Sequence, residues 1–368
     1  VNYHNPKMNG VNWNAVHTRY APLVAGAQTN SALARILNRM VGELDSSHSG
    51  VRDNTHHQPD VIGRIGLRFD PETYERHGLF RISEVIPQSP ADVAGHVAAG
   101  DYLLAIDGTS LNKQSNIDAL LANRIGKETV LTVAGSASGR DRRDVKVKPI
   151  NAGSAGRLIY ESWVEHNRAM VSKLSHGRLG YIDLPDMSMR SLQRLYRAVN
   201  AKNGTREGVV IDVRNNFGGF VNAYALDALA RRHYLNMTFR GMRRVNARPL
   251  LGQSALERPT VLITNRVTLS DGEDFTEGYR ELGLGKVVGE PTAGWIIYTS
   301  DVPLINGFTV RLPFITITTA EGKPMELHPR PVDVPVAEPL GESYRGEDAR
   351  LKAAVQVLLK QISAKKQG

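Results

Sequence analysis

The chain contains no cysteine. This absence excludes disulfide bonds, thiolate zinc sites and a cysteine nucleophile. It leaves the compartment open, because cytoplasmic and periplasmic proteins can both lack cysteine. No apolar run approaches the ~20 residues that a membrane helix needs, so we expect no membrane span.

Length and charge narrow the classes of protein that remain possible. The chain has 368 residues, of which 41% are hydrophobic and 23% are charged, so two or three packed domains are expected. The formal net charge is +9, but the basic residues are spread along the chain. Because no zinc knuckle, aromatic RNA-binding signature or helix-turn-helix pattern accompanies them, we expect no nucleic-acid partner.

Hydrophobic patterning predicts three domains. Residues 1–59 carry apolar residues at helical spacing and predict an N-terminal helical subdomain. Residues 60–150 contain short alternating segments separated by turns. Residues 151–368 alternate compact apolar strands with helical segments, which is typical of a sheet covered by helices. The strands are expected at 178–184, 208–213 and 260–264, and the helices at 155–174, 191–201, 223–232 and 271–282.

Ser270 lies at a predicted strand-to-helix corner. The free N–H groups and dipole of a helix N-terminus favour developing negative charge. Ser270 is therefore a candidate nucleophile, and the N–H of Asp271 is a candidate oxyanion donor. Taken alone, this corner is better explained by an ordinary helix cap, because serine is a common N-cap residue.

A glycine turn follows another predicted strand. The strand at 208–213 leads into Asn216-Phe217-Gly218-Gly219. Glycine lets backbone N–H groups approach a substrate closely, so this turn is a second oxyanion candidate. Taken alone, the same pattern is also that of an ordinary loop.

The stretch SPADVAGHVAAGDYLLAIDGTSL, Ser89 to Leu111, resembles PDZ domains of the kind associated with bacterial proteases. Gly66-Leu67-Arg68-Phe69 occupies the position of their carboxylate-binding loop. The resemblance implies that Gly66, Leu67 and Phe69 bind an extended peptide or a C-terminus by strand addition. The alternative is an inserted module whose groove is closed or unused.

Three more segments together resemble the tail-specific peptidase superfamily: Asp212 to Gly219, Thr260 to Ser270, and Gly289-Glu290-Pro291-Thr292. The resemblance implies an α/β fold with a crotonase/ClpP-like catalytic core, an inserted PDZ domain and the N-terminal helical subdomain. In its C-terminal processing members the base is a lysine shortly after Gly-Glu-Pro-Thr. Here that position holds Trp295, whose indole cannot accept a proton at neutral pH. Lys286 precedes the motif, so a serine–lysine dyad is not expected.

The tricorn proteases of this superfamily use a Ser-His pair before the PDZ domain, a serine followed by Asp-Gly, and a glutamate near the C-terminus. This chain is similar at Ser47-His48, Ser270-Asp271-Gly272 and Glu326. The resemblance implies that His48 is the base for Ser270, with Ser47 and Glu326 as its relay. It also implies Gly218 and Asp271 as oxyanion donors.

Two departures from the tricorn pattern affect the predictions. Phe217 stands where the family usually has another glycine, so either Gly218 or Gly219 is the donor; we favour Gly218 and assign Gly219 to substrate binding. Asn236 occupies the position of an acidic residue that selects basic side chains. Since no acid occurs between Asp227 and Glu257, the hypothesis is a preference for neutral or acidic residues.

The predicted function is a serine endopeptidase or oligopeptidase that acts on peptides or unfolded proteins without a cofactor or a metal. The resemblance implies a homo-oligomer, trimer or hexamer. Because the chain begins with Val1-Asn2-Tyr3-His4, we expect upstream domains to be missing. The alternatives are an inactive peptide-binding scaffold on the same fold and a metal site built from His48, His56 and His57.

Overall fold

The structure is a computed structural model that describes residues 3–55, 61–199, 205–342 and 346–367. The helices are α1 Trp13–Ala25, α2 Asn30–Gly42, α3 Pro71–His77, α4 Pro90–Ala94, α5 Ile117–Leu120, α6 Ala152–Leu174, α7 Met189–Arg197, α8 Asn222–Ala230, α9 Ala247–Leu250, α10 Asp271–Glu281 and α11 Ala349–Gln367. The strands are β1 Gly50–Asp53, β2 Leu67–Phe69, β3 Phe80–Val85, β4 Tyr102–Ile106, β5 Thr109–Ser110, β6 Thr129–Ala134, β7 Arg143–Val147, β8 Leu179–Asp183, β9 Gly208–Asp212, β10 Asn236–Met237, β11 Val245–Asn246, β12 Thr260–Thr264, β13 Gly285–Gly289, β14 Tyr298–Pro303, β15 Phe308–Ile315 and β16 Val334–Pro335. Within the described ranges, no helix is long and apolar enough to cross a membrane.

The chain forms two compact units, one of Val1–His56 with Asn167–Gly368 and the other of His57–His166. The N-terminal helices belong to the same unit as the large sheet, because β1 pairs with β15. The domain boundaries at 59 and 150 stay a prediction.

A parallel sheet forms the centre of the larger unit, with the strand order β16-β13-β12-β9-β8. Every residue of β8, β9 and β12 is buried, which is the near-continuous apolar pattern of a parallel sheet covered on both faces. The α/β fold class is thereby confirmed. The carboxyl ends of β9 and β12 meet at one edge, which brings the glycine turn and Ser270 to the same side of the sheet.

A second sheet in this unit is antiparallel, with the strand order β1-β15-β14. Val51, Phe308, Val310 and Leu312 point to one face and pack with residues of α2. The alternate residues Arg52, Thr309 and Arg311 lie on the other face, because side chains alternate along a strand. The prediction that residues 1–59 are helical was wrong for β1, whose four residues are too few to show a period.

The smaller unit contains a sheet of order β2-β3-β4-β6-β7, with β5 paired to β4. Its core is an apolar cluster that includes Phe80, Leu103, Leu131 and Val145. Strand β6 is followed by the last strand of this sheet, β7, which pairs with it in antiparallel register.

Truncation of a side chain in the core of the parallel sheet should lower the stability of the protein. Leu262 is fully buried in the central strand β12, so Leu262→Ala is expected to lower the free energy of unfolding by about 2–5 kcal/mol. Urea denaturation measures the difference. Leu340→Ala is the control, because Leu340 is 99% exposed and its truncation should change stability by less than about 0.5 kcal/mol. Equal effects of the two variants would contradict the assignment of Leu262 to the core.

Candidate active site

Ser270 joins β12 to α10 in an unusual backbone conformation. Its φ of 57° and ψ of −131° differ from the extended backbone of an ordinary helix N-cap. A non-glycine residue in such a region costs on the order of 1–3 kcal/mol and persists only when its surroundings hold it. Here the Ser270 amide donates to the carbonyl of Trp295 at 2.9 Å and to Glu273 Oε2 at 3.3 Å.

Glu273 organises the loop beside Ser270. Its buried carboxylate accepts hydrogen bonds from the amides of Gly294 and Trp295, both at 2.7 Å, and from the hydroxyl of Thr292. Burial raises the pKa of Glu273, while these hydrogen bonds counteract the shift. The carboxylate thus fixes residues 292–295 against the first turn of α10.

The glycine turn touches Ser270. Gly218 has a φ of +82°, and a Cβ added to it would lie 2.5 Å from Cβ and 2.9 Å from Oγ of Ser270. The Gly218 amide donates to Asn216 Oδ1 at 2.9 Å, and buried Asn216 in turn donates to the carbonyl of Leu184 at 2.8 Å. Among the described residues the Gly219 amide has no acceptor. The turn therefore has one amide already engaged and one free.

Asp271 binds the residues that follow the glycine turn. Its carboxylate accepts from the amides of Val221 at 2.8 Å and Asn222 at 3.1 Å, and from the Asn222 side chain. Burial raises the pKa of Asp271. Burial, together with the charges of Asp271 and Glu273, raises the pKa of Asp274 to about 7. The Asp271 side chain is therefore structural, while its own backbone amide at the start of α10 has no acceptor in the described chain.

Ser47, His48 and Glu326 form a hydrogen-bonded chain. Ser47 Oγ lies 2.9 Å from His48 Nδ1 and 3.0 Å from Glu326 Oε2, and the Ser47 amide donates to Glu326 Oε1 at 2.6 Å. A carboxylate only accepts, so the single hydroxyl proton of Ser47 goes to Glu326. Ser47 Oγ then accepts from Nδ1–H of His48, which leaves the lone pair on Nε2.

The backbone of Trp295 and Ile296 links the hydrogen-bonded series Glu326–Ser47–His48 to Ser270. Trp295 accepts from the Ser270 amide, and the next amide, that of Ile296, donates to Glu326 Oε2 at 3.0 Å. The antiparallel order β1-β15-β14 makes β1 and β14 parallel to each other, so residues that precede these two strands lie at the same end of the sheet. Strands β1 and β14 themselves are two strand spacings apart, about 10 Å.

The imidazole of His48 is half-buried, and its surroundings disfavour the charged form. Burial, followed by the positive charge of Arg311, lowers its pKa to about 4. Arg311 lies on β15 directly across from Gly50, two residues after His48. A neutral ring at physiological pH is therefore expected.

The other residues named from the sequence lie in several places. Asn236 is exposed in the short pair β10–β11, and Lys286 on β13 forms an ion pair with Asp333 at 3.2 Å. His56 and His57 lie outside the described residues. The described part of the chain holds no group of three potential metal ligands.

In the smaller unit, Gly66, Leu67 and Phe69 line a cavity of about 330 Å³. Ile117 and Leu121 of the α5 region and Leu158 of α6 form other parts of its wall. The cavity is mostly apolar, which suits an apolar side chain of a peptide. Strand β2 is an edge strand of its sheet, as strand addition requires.

Sequence reasoning missed three residues of the site. Glu273, three positions after Ser270, had a usable signal, because this spacing is that of a capping box. Asn216 and Arg311 had none: the first acts through its side-chain oxygen on a nearby amide, and the second lies on a strand that was not predicted.

Comparison with protein families identifies three segments. Residues 178–336 match peptidase family S41, residues 1–42 match the tricorn protease C1 domain, and residues 81–135 match a PDZ domain.

Similar proteins agree with these matches. Tricorn protease homolog 1 of Streptomyces coelicolor is 31% identical over 97% of this chain, and the tricorn protease of Thermoplasma acidophilum is 28% identical over 94%. The solved structure of the tricorn protease superposes with a TM-score of 0.84 at 25% identity and covers 98% of the chain. The chain spans only 34% and 32% of the two relatives and 35% of that structure. From these matches and the fold, the chain is a tricorn protease-like member of the tail-specific serine peptidases of family S41, with a PDZ domain and a mixed α/β architecture.

Proposed function

We propose that the chain is a serine endopeptidase or oligopeptidase in which Ser270 is the nucleophile and His48 is the base. The observation that carries the proposal is the series of hydrogen bonds Glu326–Ser47–His48. The backbone of Trp295 and Ile296 connects this series to Ser270. This arrangement supplies a neutral imidazole whose Nε2 is free to accept a proton. It also supplies a strained serine at the end of a parallel strand.

In the first half of the reaction, Nε2 of His48 takes the proton of the Ser270 hydroxyl while Oγ attacks the peptide carbonyl carbon. The tetrahedral intermediate collapses as His48 gives this proton to the leaving amine, and the C–N bond breaks. The Nδ1–H bond to Ser47 holds the ring orientation during both transfers. Glu326, through Ser47, favours the transient imidazolium.

In the second half, His48 takes a proton from water, and the hydroxide attacks the acyl-enzyme ester. The collapse of this second intermediate returns the proton to Ser270 Oγ and releases the new carboxylate. No cofactor enters either half. The balance is one water consumed for each peptide bond cleaved.

The oxyanion is stabilised by backbone amides on two elements. The Asp271 amide at the start of α10 is the first donor, and the helix dipole adds to it. The glycine turn supplies the second donor. Gly218, favoured from the sequence, must release Asn216 Oδ1, whereas the Gly219 amide has no acceptor within the described ranges. Gly218 remains our candidate for the second donor, since its Cα faces Ser270.

Peptides or unfolded proteins are the proposed substrates. The edge strand β2 and the cavity at Gly66, Leu67 and Phe69 support peptide binding by the PDZ domain. The neutral Asn236 supports cleavage after neutral or acidic residues, and a peptide library in which basic residues dominate before the cut would overturn this preference. The proposed assembly is a homo-oligomer, trimer or hexamer, with upstream domains in the complete protein.

The nucleophile and the base can be tested together. Ser270→Ala and His48→Ala are each expected to lower kcat by about 10⁴-fold or more, because the two groups act as one unit. Hydrolysis of a peptide library measures the rates. The double variant should be no worse than either single one, and Leu340→Ala, which truncates a fully exposed side chain, should retain activity. A wild-type chain that cleaves no peptide and does not react with a fluorophosphonate at Ser270 would instead be an inactive peptide-binding scaffold.

Gly218→Ala tests the contact between the glycine turn and the serine. The new Cβ would press on Ser270, so labelling of Ser270 by a fluorophosphonate should fall by about tenfold or more. Gly241→Ala is the matched control, because Gly241 has a similar φ of +80° but open space around its Cα. Equal labelling of the two variants would show that backbone strain alone, and not the contact, explains any loss.

The low pKa of His48 fixes the acid side of the pH profile. The base works in its neutral form, so kcat/KM is lost only as the pH falls through this pKa, well below 6.5 and toward about 4. Arg311→Met removes one of the two causes and should move this limb to higher pH. The dependence of kcat/KM on pH measures both effects, and an inflection above 6.5 in the wild type would contradict the burial of the base.

A further inference from the structure

We propose that Arg311 binds a carboxylate of the substrate on the leaving-group side of the scissile bond. This inference rests on the proposed function and adds the charge of the preferred substrate. It would make Arg311 a specificity-determining residue beside the base.

The side chain of Arg311 lies on the open face of the antiparallel sheet. Its strand neighbours Val310 and Leu312 face the core, so Arg311 faces away from it. The residue directly across on β1 is Gly50, which has no side chain to cover the guanidinium. His48 lies two residues before Gly50, and the charge of Arg311 reaches its ring.

Arg311 has no acidic partner among the described residues. Asp301, its neighbour across the sheet on β14, is ion-paired with Arg52. Arg311 donates through Nε to Thr299 Oγ1 at 2.7 Å, and its two terminal nitrogens make no hydrogen bond in the described chain.

The buried arginines of the described chain are neutralised by carboxylates of the protein itself. Arg214, Arg330 and Arg350 each form an ion pair with a carboxylate. Arg311 is only half-buried, so its terminal nitrogens remain accessible to a ligand, and its planar fork matches a carboxylate in two-point geometry. A substrate carboxylate supplies the missing partner.

The position beside His48 indicates which part of the substrate carries this carboxylate. His48 delivers its proton to the leaving amine, so groups next to the imidazole face the segment that departs. The oxyanion donors Gly218 and Asp271 lie at the carboxyl edge of the parallel sheet, on the acyl side of the bond. The carboxylate is therefore either an acidic side chain just after the cut or the C-terminal carboxylate of a short peptide.

Paired substrates test the assignment. Internally quenched peptides carry Glu or Gln at the first or the second position after the cut, each with a free or an amidated C-terminus. For the wild-type chain, kcat/KM should be about tenfold higher for the carboxylate member of at least one pair. Measurement at pH 8 keeps His48 neutral in every variant.

Variants locate the effect. Arg311→Met should bring the ratio close to 1, and Arg311→Lys should restore only part of it, since lysine offers a point charge and no fork. Arg76→Met is the control: it removes an exposed cation of α3 in the smaller unit, one that Glu72 already neutralises, so the ratio should stay at the wild-type value. Because the readout is a ratio, a general loss of rate in Arg311→Met does not imitate the result.

The outcomes separate the two proposals. Loss of the preference on amidation identifies the C-terminal carboxylate, and a Glu/Gln difference that survives amidation identifies an acidic side chain; both support the role of Arg311. An active enzyme with a ratio of 1, a preference that persists in Arg311→Met, or a preference for acids only before the cut overturns this role. A wild-type chain that neither cleaves nor labels at Ser270 overturns the proposed function, and the role of Arg311 with it.

Discussion

The site depends on a two-residue stretch of backbone, Trp295–Ile296, which two carboxylates hold from opposite sides. Glu273 accepts the amide of Trp295, and Glu326 accepts the amide of Ile296. The same carboxylates bind Ser270 and Ser47, respectively. Because a buried carboxylate is costly unless its hydrogen bonds are made, each acid forces its partners into one arrangement. The backbone of Trp295 and Ile296 is therefore shared by the hydrogen bonds at Ser270 and by those of the Glu326–Ser47–His48 series.

The antiparallel sheet explains how residue 48 can serve a serine more than two hundred positions away. Strand β15 pairs with β1 on one side and β14 on the other, and Arg311 of β15 registers Gly50 of β1 with Asp301 of β14. Helix α2 covers the apolar face of the sheet, so its register is specified by burial of Val51 and Val310. A slip of one residue would turn these side chains to the open face. The N-terminal segment is thus a structural part of the peptidase unit.

What the sequence could predict follows from the range of the interactions involved. Strands β8, β9 and β12 and helix α10 carry strong local patterns, and reasoning from periodicity found them close to their observed bounds. The four residues of β1 are too short to show a period, and their pairing with β15 spans most of the chain. The engagement of the Gly218 amide by Asn216 is local but depends on a side-chain rotamer, which no residue pattern specifies. Arg311 could not be found before its strand and its face were known.

The electrostatics of His48 place two opposing demands on the base. Burial and Arg311 keep the ring neutral before the reaction, yet catalysis requires that the ring carry a proton during each half. The relay through Ser47 to Glu326 meets part of this demand, because a carboxylate at the far end of the chain favours the imidazolium. A substrate carboxylate on Arg311 would meet the rest, since it would neutralise the nearby positive charge only while substrate is bound. The binding of an acidic leaving segment would then stabilise the transition state more than the ground state, so the preference for it belongs to kcat as well as to KM.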